Sequence, residues 1–196
     1  MKAGFALLVD HTQHNIIRKL TFELNRDYQT GFRGAQVPPH ISLKQPFRAT
    51  DVAAVEAYFD GFAASIQPFT VTLQAVEVHP AAGPSGDMGV VWIKARDNPT
   101  LRGLHMRLNA ELAERFANTQ ADFDGPNYQF HATVVAGGQP PDVYRQIAGA
   151  LRPPVLPRTC RIREIMMCYF DDDSYAVGTY ITYKILPLGR EAKRKS

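Results

Sequence analysis

A chain of 196 residues with 45% hydrophobic content can bury a sizeable core, and no segment of disorder length interrupts it. The net charge of +3 permits an anionic substrate but falls short of the dense positive surface of a protein that grips duplex nucleic acid. The apolar run at the start is too short for a signal peptide, and no run of about 18 consecutive uncharged apolar residues occurs. The sequence therefore predicts a cytoplasmic protein that does not span a membrane.

Hydrophobic periodicity and turn residues predict helices and strands that alternate along the chain. In chain order we expect a strand at 4–9, a helix at 12–28, a loop at 31–36, a strand from residue 40, a helix at 52–65, a strand at 69–78, a loop at 80–87, a strand at 88–95, a helix at 99–118, a strand at 128–136, a helix at 141–151, and a closing hairpin of strands 161–170 and 175–186 joined at 171–174. Two segments therefore share one order of helix, turn-rich loop, strand and helix.

A short motif begins each of the two strands in those segments. It reads HISL from His40 and HATV from His131, which is histidine, any residue, a hydroxyl residue and an aliphatic residue. Because side chains alternate along a strand, His40 shares a face with Ser42, and His131 shares one with Thr133. Two such strands facing each other would surround a common volume with one acid, one base and two neutral donors, which suits phosphoryl chemistry.

The ordinary interpretation of a single motif of this kind is a histidine that ends a half-buried strand and bonds the backbone. Two copies in similar surroundings favour the functional interpretation. Lys44 shares the face of His40 by alternation and is a candidate phosphate ligand, or else a solvated lysine at a strand end. Phe47 and Phe130 are candidates for stacking a nucleobase, although an aromatic residue beside a strand is more often part of the core.

The remaining histidines and the cysteines have structural interpretations. We expect His11 and His14 to be solvated at a helix start, His105 to be a satisfied core residue and His79 to end a strand. No metal site is predicted, since neither His-x-x-x-His nor Cys-x-x-Cys occurs. Cys160 and Cys168, eight residues apart on what is predicted to be one long strand, are too distant to bridge and are expected to be reduced thiols.

Together, the paired motifs, their spacing and the order of elements resemble the 2H phosphoesterase superfamily, and within it the bacterial 2′-5′ RNA ligase-like proteins. The stretch PPHISLKQPF at 38–47 and the hairpin ending in LPL at 186–188 add to the resemblance. It implies an α+β fold of two pseudo-symmetric lobes, each an antiparallel sheet backed by helices, around a central cleft. We expect one monomeric domain over residues 1–188 and a disordered basic tail at 189–196.

The resemblance also implies a function. The protein would be a phosphodiesterase that uses no metal or cofactor and hydrolyses 2′,3′-cyclic phosphate or 2′-5′ bonds of RNA ends or small nucleotides. Reversible RNA ligation is a further activity that the resemblance implies. By similarity His40 is the acid that protonates the leaving group, His131 is the base that activates water, and Ser42 and Thr133 donate hydrogen bonds to the non-bridging oxygens.

Two alternatives remain open at the level of sequence. The first is a non-catalytic nucleotide-binding module in the same cleft, which the intact histidines disfavour because binding would need only hydroxyls and a cation. The second is a metal-dependent hydrolase, which the shortage of ligands disfavours. The sequence also departs from the family, since many relatives place an arginine shortly after the second motif and here residues 135–138, VAGG, carry no cation. That departure argues against RNA binding and ligation.

Overall fold

The computed structural model describes residues 1–82, 88–152, 158–171 and 180–189. Within them the helices are α1 (His11–Tyr28), α2 (Val52–Ala64), α3 (Pro99–Arg115) and α4 (Pro141–Ala150), and a 3₁₀ turn covers Arg33–Ala35. The strands are β1 (Lys2–Leu8), β2 (His40–Arg48), β3 (Phe69–Ala82), β4 (Met88–Ala95), β5 (His131–Ala136), β6 (Arg158–Ile162), β7 (Glu164–Phe170) and β8 (Tyr180–Pro187). Within these residues no helix is both long and apolar enough to cross a bilayer.

The described strands form one antiparallel sheet in the order β6-β3-β4-β5-β2-β1-β7-β8. This confirms the predicted α+β class. The sheet has two halves of four strands, β6-β3-β4-β5 and β2-β1-β7-β8, and they meet where β2 pairs with β5 through Ile41 and Ala132. The two strands at the centre of the sheet are therefore the two that carry the repeated motif.

Each strand presents a different set of side chains to each face of the sheet. On one face, residues such as Phe5, Ile41 and Ala132 are fully buried in the main core together with the apolar stripes of the helices. A second, smaller cluster on the other face contains Ala6 and Met166 from strands and, among the described residues, none from a helix. Helices thus cover one face of the sheet and leave the other open to a cleft.

Polar side chains cap the starts of three helices. Asp51 accepts a hydrogen bond from the backbone N–H of Ala54 at the start of α2, and Asn98 accepts one from Leu101 at the start of α3, directly before Pro99. At the start of α1, Asp10 accepts a hydrogen bond from the backbone N–H of Gln13, and it also accepts one from the backbone N–H of Arg161.

The prediction of one long strand at 161–170 is wrong. The segment is divided at Arg163 into β6, which pairs with β3, and β7, which pairs with β1. Because β3 and β1 lie in different halves, the chain leaves one half of the sheet and enters the other at this residue. Cys160 and Cys168 therefore lie on different strands, and both are buried free thiols.

The closing hairpin is confirmed, since β7 pairs with β8 from Glu164 and Pro187 to Phe170 and Tyr180. Residues 172–179, which include most of the predicted turn and the first five residues of the second predicted strand, lie outside the described residues, as do 83–87 in the predicted loop and 190–196 in the predicted tail. Strand β3 extends to Ala82, so the loop predicted at 80–87 begins later than expected.

Candidate active site

A cleft of about 810 Å³ lies over the open face of the sheet, and all four motif side chains line it. The antiparallel pair between Ile41 and Ala132 places His40 across from Thr133, and Ser42 across from His131. Each imidazole thus faces the hydroxyl residue of the other motif. The structure brings together the two imidazoles and two hydroxyls that the sequence predicts for this volume.

Backbone carbonyls orient both imidazoles in the same way. His40 Nδ1 lies 2.8 Å from the carbonyl oxygen of Pro38, and His131 Nδ1 lies 2.8 Å from that of Gln129. Since a carbonyl oxygen only accepts, each Nδ1–H is the donor, which leaves each Nε2 to the cleft. The carbonyl comes from two residues upstream in both motifs, so the second motif repeats the first in its hydrogen bonding as well as its sequence.

The cleft lowers the pKa of both imidazoles below the ordinary value. For His40 the main cause is burial, which the bond to Pro38 opposes and the positive charge of Arg18 reinforces. For His131 burial again lowers the pKa, the bond to Gln129 opposes it, and the charges of His40 and His79 reinforce it. Burial thus favours the neutral form of each imidazole, which is the form that a general base needs.

Arg18 also holds the chain that leads into the first motif. From helix α1 its guanidinium donates to the carbonyl oxygens of Ala35 at 2.6 Å and Val37 at 3.0 Å. This segment runs directly into Pro38, whose carbonyl orients His40. Arg18 is thus a positioning residue for the first imidazole.

An aromatic stack supports His131, and sequence reasoning missed it. The Trp92 ring on β4 lies 4.2 Å from the His131 ring at an interplanar angle of 24°, and the His79 ring lies 4.0 Å from Trp92. Glu77 accepts a hydrogen bond from Trp92 Nε1 at 2.9 Å. Burial raises the pKa of Glu77, but the bonds from Trp92 and Lys94 outweigh it and lower that pKa. The stack thus ends in a carboxylate that holds the indole in place.

One sequence feature bears on this stack but does not predict it. Trp92 is the single tryptophan of the chain and lies on the same side of β4 as Val90 by alternation. Its closeness to His131 depends on the pairing of β4 with β5, which joins Trp92 to Thr133 across the ladder. Periodicity does not reveal which strands become neighbours.

Lys44 lines the cleft, but the interpretation as a solvated lysine is wrong. Its side chain is 1% exposed and forms an ion pair with Asp124, whose side chain is 10% exposed. Burial lowers the pKa of Lys44, and the hydrogen bond from its ammonium group to Asp124 opposes that shift. A partner carboxylate therefore already compensates the charge of Lys44.

The loop that carries Asp124 is fastened to β2 by further contacts. The buried ring of His105 donates from Nδ1 to the carbonyl oxygen of Leu43 at 2.9 Å and accepts at Nε2 from the backbone N–H of Gly125 at 3.0 Å. This confirms His105 as a satisfied core residue. Tyr128 stacks on that ring at 4.6 Å, and its hydroxyl accepts from Gln45 at 2.8 Å. Burial raises the pKa of Tyr128 to about 12.

Phe47 and Phe130 do not reach the cleft, and the suggestion that they stack a nucleobase is wrong. Each is 2% exposed, and both belong to the main core. Phe47 packs edge-on against Phe5 at 6.1 Å, and Phe130 packs edge-on against Tyr128 at 5.1 Å. The exposed phenylalanine that lines the cleft is Phe123, in the loop between α3 and β5.

The wall of the cleft made by β1, β7 and β8 is apolar. Ala6, Met166 and Cys168 line it, together with the rings of Phe170 and Tyr180, which stack at 5.5 Å. The wall made by β3 and β4 contains His79 and Trp92 instead. The two sides of the central histidines therefore differ in chemistry, although the two halves of the sheet have the same number of strands.

Arg33 brings a guanidinium to the cleft beside the second motif. Its 3₁₀ turn packs on β5 at Gly34, where a Cβ would lie 3.8 Å from Thr133 Cγ2. Arg33 Nη1 lies 3.3 Å from where a Cβ of Gly137 would be. Gly137, three residues after the second motif, has no side chain to occupy the space beside the guanidinium. Among the described residues, no three histidine, cysteine or carboxylate side chains are grouped to hold a metal ion.

Comparisons with known proteins agree with this geometry. A model of the 2′-5′ RNA ligase superfamily matches residues 9–174. E. coli LigT complexed with 3′-AMP is 18% identical with a TM-score of 0.58, over 96% of this chain and 98% of that chain. The protein TT0787 of Thermus thermophilus is 17% identical with a TM-score of 0.61, over 98% of this chain and 100% of that chain. No curated protein matches the sequence. At these identities the likeness to the solved structures establishes the fold.

Proposed function

This chain belongs to the 2′-5′ RNA ligase superfamily, and we propose that it hydrolyses 2′,3′-cyclic phosphate bonds, or 2′-5′ phosphodiester bonds, with His40 and His131 as its acid and base. Membership makes it a phosphodiester-processing enzyme. The finer assignment rests on one observation, which is that both imidazoles are held by Nδ1 and present Nε2 to the same cleft. A binding module has no need for two imidazoles oriented in this way.

The proposed reaction transfers two protons. Neutral His131 takes a proton at Nε2 from a water molecule as the water oxygen bonds to phosphorus. Protonated His40 gives its Nε2 proton to the ribose oxygen as the bond between that oxygen and phosphorus breaks. The products are a phosphate monoester and a free ribose hydroxyl. Proton exchange with solvent then returns both imidazoles to their starting states.

The two hydroxyl residues act on the phosphate itself. Ser42 and Thr133 donate hydrogen bonds to the non-bridging oxygens, which carry more negative charge in the transition state than in the ground state. Arg33 adds a cation on the side of Thr133. Loss of either hydroxyl is expected to lower the rate less than loss of either imidazole, which is worth about 10²–10⁴-fold.

The charge of the cleft favours a small nucleotide or the end of an RNA over an RNA strand. Among the described residues that line it, the lysines and arginines are Arg33 and Lys44, and Asp124 neutralises Lys44. A strand of several phosphates is normally bound by several cations. The apolar wall beside Ser42 suits a flat nucleobase.

The test is product analysis on EDTA-treated protein with the four nucleoside 2′,3′-cyclic phosphates and an oligoribonucleotide that ends in a cyclic phosphate. We expect turnover that resists the chelator and that His40→Ala and His131→Ala each abolish. His11→Ala is the matched control, because His11 is exposed at the start of α1. Near-normal rates in either motif variant would refute the two-histidine mechanism. Nucleotide binding without turnover in the wild type would instead favour the binding module.

A further inference from the structure

Phe123 combines two unfavourable features at the edge of the cleft. Its φ angle is +71°, in the left-handed region, and its side chain is among the most exposed apolar ones, at 67%. A phenylalanine rarely adopts this backbone conformation, and an exposed ring gains nothing from burial. Strain of this kind persists where the surroundings impose it, and it is concentrated at functional sites.

Contacts of the next two residues hold the loop in this conformation. The Asp124 carboxylate is paired with the buried ammonium group of Lys44 and lies 3.4 Å from the backbone nitrogen of Gln45. The backbone N–H of Gly125 is bonded to the buried ring of His105. Phe123 is thus presented from a loop that is fixed to the motif strand β2, and its position is set before any ligand arrives.

The ring also lies on a defined side of the catalytic centre. Lys44, to which the loop is fixed, pairs across the ladder with Phe5 of β1, and Ser42 pairs with Ala6. Strand β1 begins the apolar wall that continues through Met166 and Cys168. A flat group beside the phosphate would therefore have the apolar wall on one side and the Phe123 ring within the same cleft.

We propose that Phe123 stacks on the nucleobase of the substrate and so makes this enzyme select nucleotides over cyclic phosphates that lack a base. A base offers a π face to an aromatic ring whatever its identity, so the selection is for a base in general. The proposal rests on the proposed function, because it assumes that the phosphate lies between the two imidazoles.

The experiment compares adenosine 2′,3′-cyclic phosphate with glycerol 1,2-cyclic phosphate, which has the same reactive ring and no base. Phe123→Asn is expected to raise KM for the adenosine substrate at least about fivefold, the lower end of what loss of one base–aromatic stack causes. The parameters for the glycerol substrate should stay unchanged. Phe123→Tyr keeps an aromatic ring and should retain the wild-type KM. Phe22→Asn, which removes an exposed ring on α1, is the matched control.

Thermal stability separates this role from a structural one. Asparagine tolerates the left-handed conformation better than phenylalanine, so Phe123→Asn should melt at the same temperature as the wild type or higher. A lower melting temperature together with equal losses on both substrates would overturn the proposal, as would an unchanged KM. If the wild type hydrolyses neither substrate, the proposed hydrolysis of small cyclic phosphates fails. Titration with 2′-AMP and with ribose 5-phosphate then decides the stacking, since only the first should bind more weakly to Phe123→Asn.

Discussion

The buried ion pair between Lys44 and Asp124 predicts a large loss of stability when its carboxylate is removed. With the two side chains 1% and 10% exposed, Asp124→Asn leaves an ammonium group without a counter-charge inside the protein. Lys44 can escape by releasing its proton. From an ordinary pKa of 10.5, that release at pH 7 costs about 5 kcal/mol, which sets a ceiling. Since breaking a buried pair typically costs about 3–5 kcal/mol, we expect a loss in that range.

The pH dependence of this loss identifies its cause. If Lys44 is neutral in folded Asp124→Asn, the unfolded chain binds one more proton than the folded one, and stability rises with pH up to the unfolded pKa. The difference in the free energy of unfolding between the wild type and Asp124→Asn should therefore decrease by about 1.4 kcal/mol per pH unit between pH 7 and pH 9. Urea denaturation measures this difference.

Two further variants control this measurement. Asp122→Asn, exposed in the same loop, should change stability by no more than about 0.5 kcal/mol. The double variant Lys44→Met/Asp124→Asn should recover most of the loss, because it removes both charges. A loss in Asp124→Asn below about 1 kcal/mol that does not depend on pH would refute the reasoning, since it would show that Lys44 reaches water.

Two other predictions concern the active site and the turn after it. Burial lowers the pKa of both His40 and His131 below 6.5. A plot of kcat/KM against pH should therefore be bell-shaped, with its maximum below pH 6.5. A maximum above about pH 7.5 would contradict the assignment of these two histidines as acid and base. Gly138 has a φ of +90°, and a Cβ there would clash with the carbonyl oxygen of Thr30, so Gly138→Ala should cost about 2–3 kcal/mol in thermal denaturation. Gly103→Ala on α3, where a Cβ meets nothing within 4 Å, should not destabilise, and equal stability of both variants would show that the turn rearranges freely.

The central strands could be predicted from the sequence because their information is local. Alternation alone places His40 and Ser42 on one face and Ile41 on the other, and the structure has Ile41 in the core and both polar residues in the cleft. The caps at Asp51 and Asn98 are local in the same sense, since each side chain bonds the backbone three residues later.

What could not be predicted depends on which strands become neighbours. The break at Arg163 follows from pairing with β3 on one side and β1 on the other, and no periodicity in 158–170 reveals it. Closeness in sequence to the motifs makes Phe47 and Phe130 candidates, but alternation from Ile41 and from Ala132 places both on the core face. Phe123 reaches the cleft from a loop that is anchored to β2 through Asp124 and Lys44. Trp92 reaches it because its strand, β4, pairs with the motif strand β5.

The division of the sheet into a helix-covered face and a cleft face also constrains how this protein can evolve. Substitutions at cleft positions such as Ala6 and Met166 can reshape the cleft wall without touching the main core, because each lies on the opposite face from Phe5 and its neighbours. A shift of one residue in the pairing of β2 has no such freedom. It would turn His40 toward the helices and Ile41 toward the cleft, so the candidate site and the core would be lost together.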